Sequence, residues 1–192
     1  MELFEKFKII LASESPRRRE LLSLITDDFD VIPSKTEEKA PVLCPEETVK
    51  YLSLLKAVHA AKEPNSLVIG ADTIVYADGI PMGKPKDEHE AFKMLRILSG
   101  RSHEVFTGVT VINTSSKAVF SESERTIVHF AQINDDEIRS YISTGEPMDK
   151  AGAYGIQGYA AKFILGIEGC YYNVVGLPVR LTYLLLKKSA QI

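Results

Sequence analysis

Apolar and polar positions along this chain change period several times, and the changes mark out its elements. The apolar run Phe7 to Leu11 reads as a strand that stops at small polar residues. Ser15-Pro16 then reads as a helix start, with Ser at the N-cap, Pro at the first helical position, and Leu21, Leu22 and Ile25 following at helical spacing. Phe29 to Pro33 is a short strand ending in the polar loop "SKTEEKAP". Pro45-Glu46-Glu47 opens a second helix, with Val49, Leu52, Leu55 and Val58 on one side and an end near Pro64. "SLVIGADTIVYADG" is a buried strand whose Asp78-Gly79 predicts a hairpin turn into "IPMGKP". "DEHEAFKMLRILSG" is a helix with an acidic start and Gly100 beyond its end.

Strand patterns then cluster. "HEVFTGVTVIN" and "AVFSESERTIVHF" predict two strands joined by the turn "TSSK", followed by a short helix at "DDEIRSYIST". "GEPMDKAGAYGIQG" is a glycine-rich loop in which backbone comes close to another group. Two further strands, "AKFILGIEG" and "CYYNVVG", precede a terminal helix from Pro178. The pattern predicts a mixed α/β fold with one twisted central sheet, in a single domain over residues 1–192.

Composition narrows the function classes. Lys plus Arg number 23 against 26 Asp plus Glu, and the net charge of −3 disfavours a dedicated nucleic-acid binder. It leaves room for a local basic pocket. The two cysteines, Cys44 and Cys170, lie outside any CxxC pattern, which argues against a disulfide scaffold or a cysteine zinc site. "MELFEKFK" mixes charges where a signal peptide needs an apolar region, and no apolar stretch is long enough to span a bilayer. The expectation is a cytoplasmic protein.

Candidate chemistry sits in four places. The first helical turn carries Arg17, Arg18 and Arg19 at the positive end of the helix dipole, where acidic side chains are preferred. Backbone N–H groups, guanidinium groups and the hydroxyls of Ser13 and Ser15 there suit a phosphate, although a solvated arginine helix has the same pattern. Asp72 interrupts an apolar strand, so a cation, a hydrogen-bond network or a wet cleft is expected around it. Glu37 and Glu38 are candidates to join Asp72 around one hard divalent cation, or else form a solvated loop. Lys84, in "GKP", and Lys56 are candidate phosphate partners; Arg101, His103 and Thr107 in "SGRSHEVFTG" are weaker ones. The four histidines form no zinc pattern. In "DKAGAYGIQG" the glycine spacing fits neither a dinucleotide fingerprint nor a Walker A loop. The Gln157 amide can accept from N3–H of uracil or thymine while donating to a keto oxygen, or can tie down its own loop.

The ordered set "SESPRRRELL", "GADT", "GKP", "SGRSHEVFTG" and "DKAGAYGIQG" resembles the Maf family of nucleoside triphosphate pyrophosphatases over nearly the whole chain. The last motif is similar to the subgroup acting on dTTP and UTP rather than the one associated with 7-methyl-GTP. The resemblance implies the fold of inosine-triphosphate pyrophosphatases: an elongated, mixed, twisted sheet flanked by helices, with two lobes and a central cleft. It implies hydrolysis between the α- and β-phosphates. By matching motifs, Asp72 is the implied proton acceptor, and Arg17, Thr73 and Gln157 the substrate-discriminating positions. Ser13, Arg18, Glu37, Lys56 and Lys84 resemble further pocket residues, with Mg²⁺ or Mn²⁺ on Asp72 and Glu37. A homodimer is also implied. Alternatives within the resemblance are a pyrophosphatase for other modified nucleotides and a non-catalytic regulator of septum formation that binds a cell-division protein.

Overall fold

The computed structural model describes Phe4, residues 6–34 and residues 44–192. Along the chain these form β1 (Lys8–Leu11), α1 (Pro16–Ser23), β2 (Asp30–Val31), α2 (Pro45–Ala60), β3 (Ser66–Ala77), β4 (Ile80–Met82) and α3 (Glu88–Leu98). There follow β5 (Ser102–Asn113), β6 (Val119–Phe130), α4 (Asp135–Ile142), β7 (Ile164–Glu168), α5 (Tyr171–Val175) and α6 (Val179–Ala190). Short 3₁₀ turns at Glu146–Asp149, Ala151–Ala153 and Tyr159–Phe163 lie between α4 and β7.

All seven strands join one sheet in the order β2-β1-β3-β5-β6-β7, with β4 paired to β3. β1 runs parallel to both β2 and β3, whereas β4 and β7 pair antiparallel to their neighbours, so the sheet is mixed as expected. Ile9, Ile10 and Leu11 are all buried, which is why β1 reads as a continuous apolar run rather than an alternating one. Asp78 and Gly79 both take positive φ, 50° and 80°, in the two-residue turn joining β3 to β4.

The residues divide into two compact units. One comprises the chain up to Asp72 with Thr107–Glu124 and Gly176–Ile192; the other comprises Thr73–Phe106 and Arg125–Val175. In the first, α2 lies on the sheet with Val49, Leu52, Ser53, Lys56, Ala57 and Ala60 buried. This stripe differs from the predicted one: Val58 is 57% exposed, and the inward face carries a lysine. Two strand glycines bring α2 in close. A Cβ on Gly70 would lie 2.1 Å from the Ser53 carbonyl oxygen, and one on Gly108 would lie 2.3 Å from the Val49 backbone. Ile10, Val68 and Ile112 then pack with Ala57 and Ala60.

In the second unit α3 and α4 cover a core that includes Val75, Leu95, Phe130, Tyr141, Tyr154 and Phe163. Asn134 caps α4, its side chain accepting from the Asp136 and Glu137 amides while Glu137 accepts from the Asn134 amide. One predicted strand is corrected here. "CYYNVVG" forms the helical turn α5, in which Tyr171 and Tyr172 face solvent and Asn173 is buried. Asn173 Nδ2 donates to the Val105 carbonyl (3.0 Å) and to Thr126 Oγ1 (2.9 Å), so side-chain bonds to the sheet take the place of a strand ladder. Among the described residues no helix is long and apolar enough to cross a membrane.

Candidate active site

The first turn of α1 follows directly from β1 and contains no acidic residue. Ser15 has the extended backbone of an N-cap (φ −64°, ψ 118°), but its side chain makes no cap bond. Ser13, buried, acts instead: its Oγ accepts from the Ser15 amide (3.3 Å) and from Arg18 Nη1 (3.3 Å). Arg18 Nε donates to the Gly176 carbonyl (2.8 Å), tying the helix start to the segment before α6. Arg17 and Arg18 are half-buried, whereas Arg19 is exposed.

Asp72 enters the same neighbourhood through strand pairing. Leu11 lies opposite Ile69 in the parallel pair, and the Ala12 amide donates to the Ile69 carbonyl (2.8 Å). Ser13 and Asp72 therefore both leave the C-terminal end of the β1–β3 pairing, the end at which open α/β sheets bind ligands. Asp72 shares a strand face with Gly70, the face that α2 covers. From α2, Lys56 Nζ reaches Asp72 Oδ1 at 2.5 Å, with the two side chains 10% and 8% exposed. Each charge offsets the desolvation of the other.

Glu37 and Glu38 lie outside the described residues. Among the described ones, no three His, Cys, Asp or Glu side chains come together as a metal cage. Among the described residues, the pair at Asp72 is one buried carboxylate beside an ammonium. That chemistry suits a hard cation completed by water and substrate phosphate oxygens, as magnesium commonly is, rather than a cage of protein ligands.

The remaining predicted positions belong to the second unit. Thr73 follows Asp72 but points to the other face of β3 and is half-buried. It shares that face with Val75, against which Gly152 is pressed: with φ +68°, a Cβ there would lie 2.8 Å from the valine. The Gly152 amide donates to the Gly83 carbonyl (3.0 Å), joining the glycine-rich segment to the "GKP" stretch, where Lys84 is exposed. Gln157 is exposed on a tight turn closed by the Gly158 amide on the Gly155 carbonyl (3.3 Å).

Further residues of these motifs make structural contacts. Arg101 pairs with Asp78 beside the β3–β4 turn. His103 is buried, its Nε2 2.7 Å from the Tyr154 hydroxyl; burial, helped by His129, lowers its pKa to about 4. It is therefore neutral near pH 7. Burial also pushes the Tyr154 phenol up. Glu146 and Tyr141, which sequence reading did not single out, support the Gln157 turn: Tyr141 donates to Glu146 Oε1 (2.8 Å), and burial and that carboxylate raise the phenol. Gly70 and Gly108 carry a signal of their own, since a glycine inside an apolar strand is a sign of close backbone approach.

A family model described as "Maf-like protein" matches residues 8–189. A dTTP/UTP pyrophosphatase from Carboxydothermus hydrogenoformans is 52% identical over 177 residues, covering 92% of this chain and 95% of its own. Another of the same name from Clostridium perfringens is 48% identical over 183 residues, covering 92% and 94%. Among solved structures, a HAM1 protein from Coxiella burnetii superposes with a TM-score of 0.52 at 17% identity, over 82% of this chain and 80% of that one. At that identity the likeness is one of fold.

Proposed function

This chain belongs to the Maf family, and from that premise we infer that it hydrolyses dTTP and UTP to the nucleoside monophosphate and pyrophosphate. The observation that carries the reading is the match, over more than nine-tenths of both chains, to relatives named dTTP/UTP pyrophosphatase.

In this reading water attacks the α-phosphorus and gives its proton to Asp72. The bond from the α-phosphorus to the bridging oxygen breaks, and pyrophosphate leaves with the electron pair. Arg17, Arg18 and Ser13 bind the triphosphate through the charge and hydrogen-bond donors of the α1 start. Lys56, already at Asp72, and Lys84 stabilise the leaving pyrophosphate. Gln157 accepts from N3–H and donates to a keto oxygen of the base. Cytosine, with an unprotonated N3, offers the wrong pattern. Thr73 and Arg17 add to the discrimination. Asp72, with Glu37, is the pair that would hold Mg²⁺ or Mn²⁺, which when bound neutralises charge developing on the phosphates.

The test is pyrophosphate release from a panel of standard and modified nucleoside triphosphates, with each metal, for the wild type and Asp72→Asn. Turnover of dTTP and UTP that falls by about 10²–10⁴-fold in the variant is expected. Near-normal turnover in folded Asp72→Asn protein removes that residue from the chemistry. No turnover of any nucleotide by the wild type favours the regulator reading instead.

A further inference from the structure

One carboxylate holds both ends of the turn that carries Gln157. The Gly155 amide donates to the Tyr141 hydroxyl (3.3 Å), which in turn donates to Glu146 Oε1 (2.8 Å). The Tyr159 amide donates to the other oxygen, Oε2 (2.8 Å). Between those anchors, the Gly158 amide on the Gly155 carbonyl closes the turn itself (3.3 Å). Gly158 lies flat over the carboxylate: a Cβ there would stand 2.1 Å from Glu146 Oε2. The hydroxyl relay starts from Tyr141, which is buried in the core, so the clasp is referred to a rigid part of the unit rather than to another loop.

We propose that Glu146 is a positioning residue for nucleobase selectivity, clasping the Gly155–Tyr159 turn so that the exposed Gln157 amide is presented in one orientation. The inference rests on Gln157 reading the base. Glu146 itself touches no substrate. Its carboxylate replaces two waters that the Tyr159 amide and Tyr141 hydroxyl would otherwise bind, and so removes the turn's alternatives. An amide that rotates or swings by about 1 Å loses most of its power to tell a keto edge from an amino edge.

Two readouts test this on the full-length protein. Amide hydrogen exchange without nucleotide is expected to quicken by about tenfold at residues 155–160 in Glu146→Ala, and elsewhere to stay near wild type. Steady-state kinetics are expected to show the dTTP-to-dCTP ratio of kcat/KM falling about tenfold, with KM for dTTP rising more than kcat falls. Glu146→Gln, which keeps an acceptor for the Tyr159 amide, should recover most of both. The φ of Gly158 is negative (−107°), and the added Cβ of Gly158→Ala should evict the carboxylate it would stand against. Its effect on selectivity should not add to that of Glu146→Ala. Should Glu146→Ala fail to fold, Gly158→Ala and Tyr141→Phe carry the same test. Unchanged exchange in the turn overturns the clasp. Faster exchange with unchanged selectivity, in a protein whose Gln157→Ala variant does lose selectivity, overturns the proposed consequence and leaves base reading standing. If Gln157→Ala also keeps its selectivity, base reading itself falls, and this inference falls with it.

Discussion

Lys56 shows what a single side chain does to the picture. It occupies a regular buried position on α2, so the helix turns a charge inward where the sequence pattern placed an apolar edge. Its ammonium is paired with the buried carboxylate of Asp72. Lys56→Met should therefore cost about 3–5 kcal/mol, because it strands a buried carboxylate. Lys56→Met combined with Asp72→Asn should cost less than Lys56→Met alone, a reversal that urea denaturation of the three proteins would detect. His103 makes a second residue-scale prediction, this time about pH. Its folded pKa of about 4 lies below the unfolded value near 6.5, so between the two the unfolded chain holds the extra proton. The stability it contributes is complete above about pH 6.5 and is lost as the pH falls towards 4, by up to about 3 kcal/mol. His103→Asn should lack that slope, giving urea midpoints that differ less between about pH 7 and pH 4.5 than those of the wild type.

At the scale of elements, the close seating of α2 depends on absent side chains. Gly70→Ala and Gly108→Ala each drive a Cβ into helix backbone, which cannot rotate away as a side chain can. Each should cost about 2–3 kcal/mol and lower turnover by displacing Lys56 from Asp72. Gly166→Ala on β7, where a Cβ would meet nothing, should leave the melting temperature close to wild type. Paired measurements of melting temperature and kcat would separate the three. The same elements show what sequence reading captures. Asp78-Gly79 announced its turn because few other pairs accept two positive φ angles in succession. The sequence pattern predicts α2 but in a rotated setting, since Lys56 is polar and Val58 apolar, and only tertiary pairing reverses that order. The stretch from Cys170 to Gly176 reads as strand because seven residues carry too little period, and because the decisive bonds of Asn173 go to residues far away in the sequence.

Across the whole molecule, the mixed sheet was legible from alternating patterns, but its order was not. Three residues of a short hairpin announce themselves locally, whereas β1 pairs with β3 across more than fifty intervening positions. The candidate site divides in the same way. Asp72, Arg17 and Gln157 stand out in short motifs, while Glu146 matters only through contacts that no motif displays. In the proposed reaction the start of α1 also bears on turnover. The first turn of α1 carries three arginines and no acidic residue, and such charge recognises phosphate without regard to which end of the reaction it came from. Pyrophosphate should then linger after bond cleavage, so that at low ionic strength the enzyme waits on its product. Added salt should raise kcat by hastening that departure while raising KM for the nucleotide, until capture rather than release becomes the slow step.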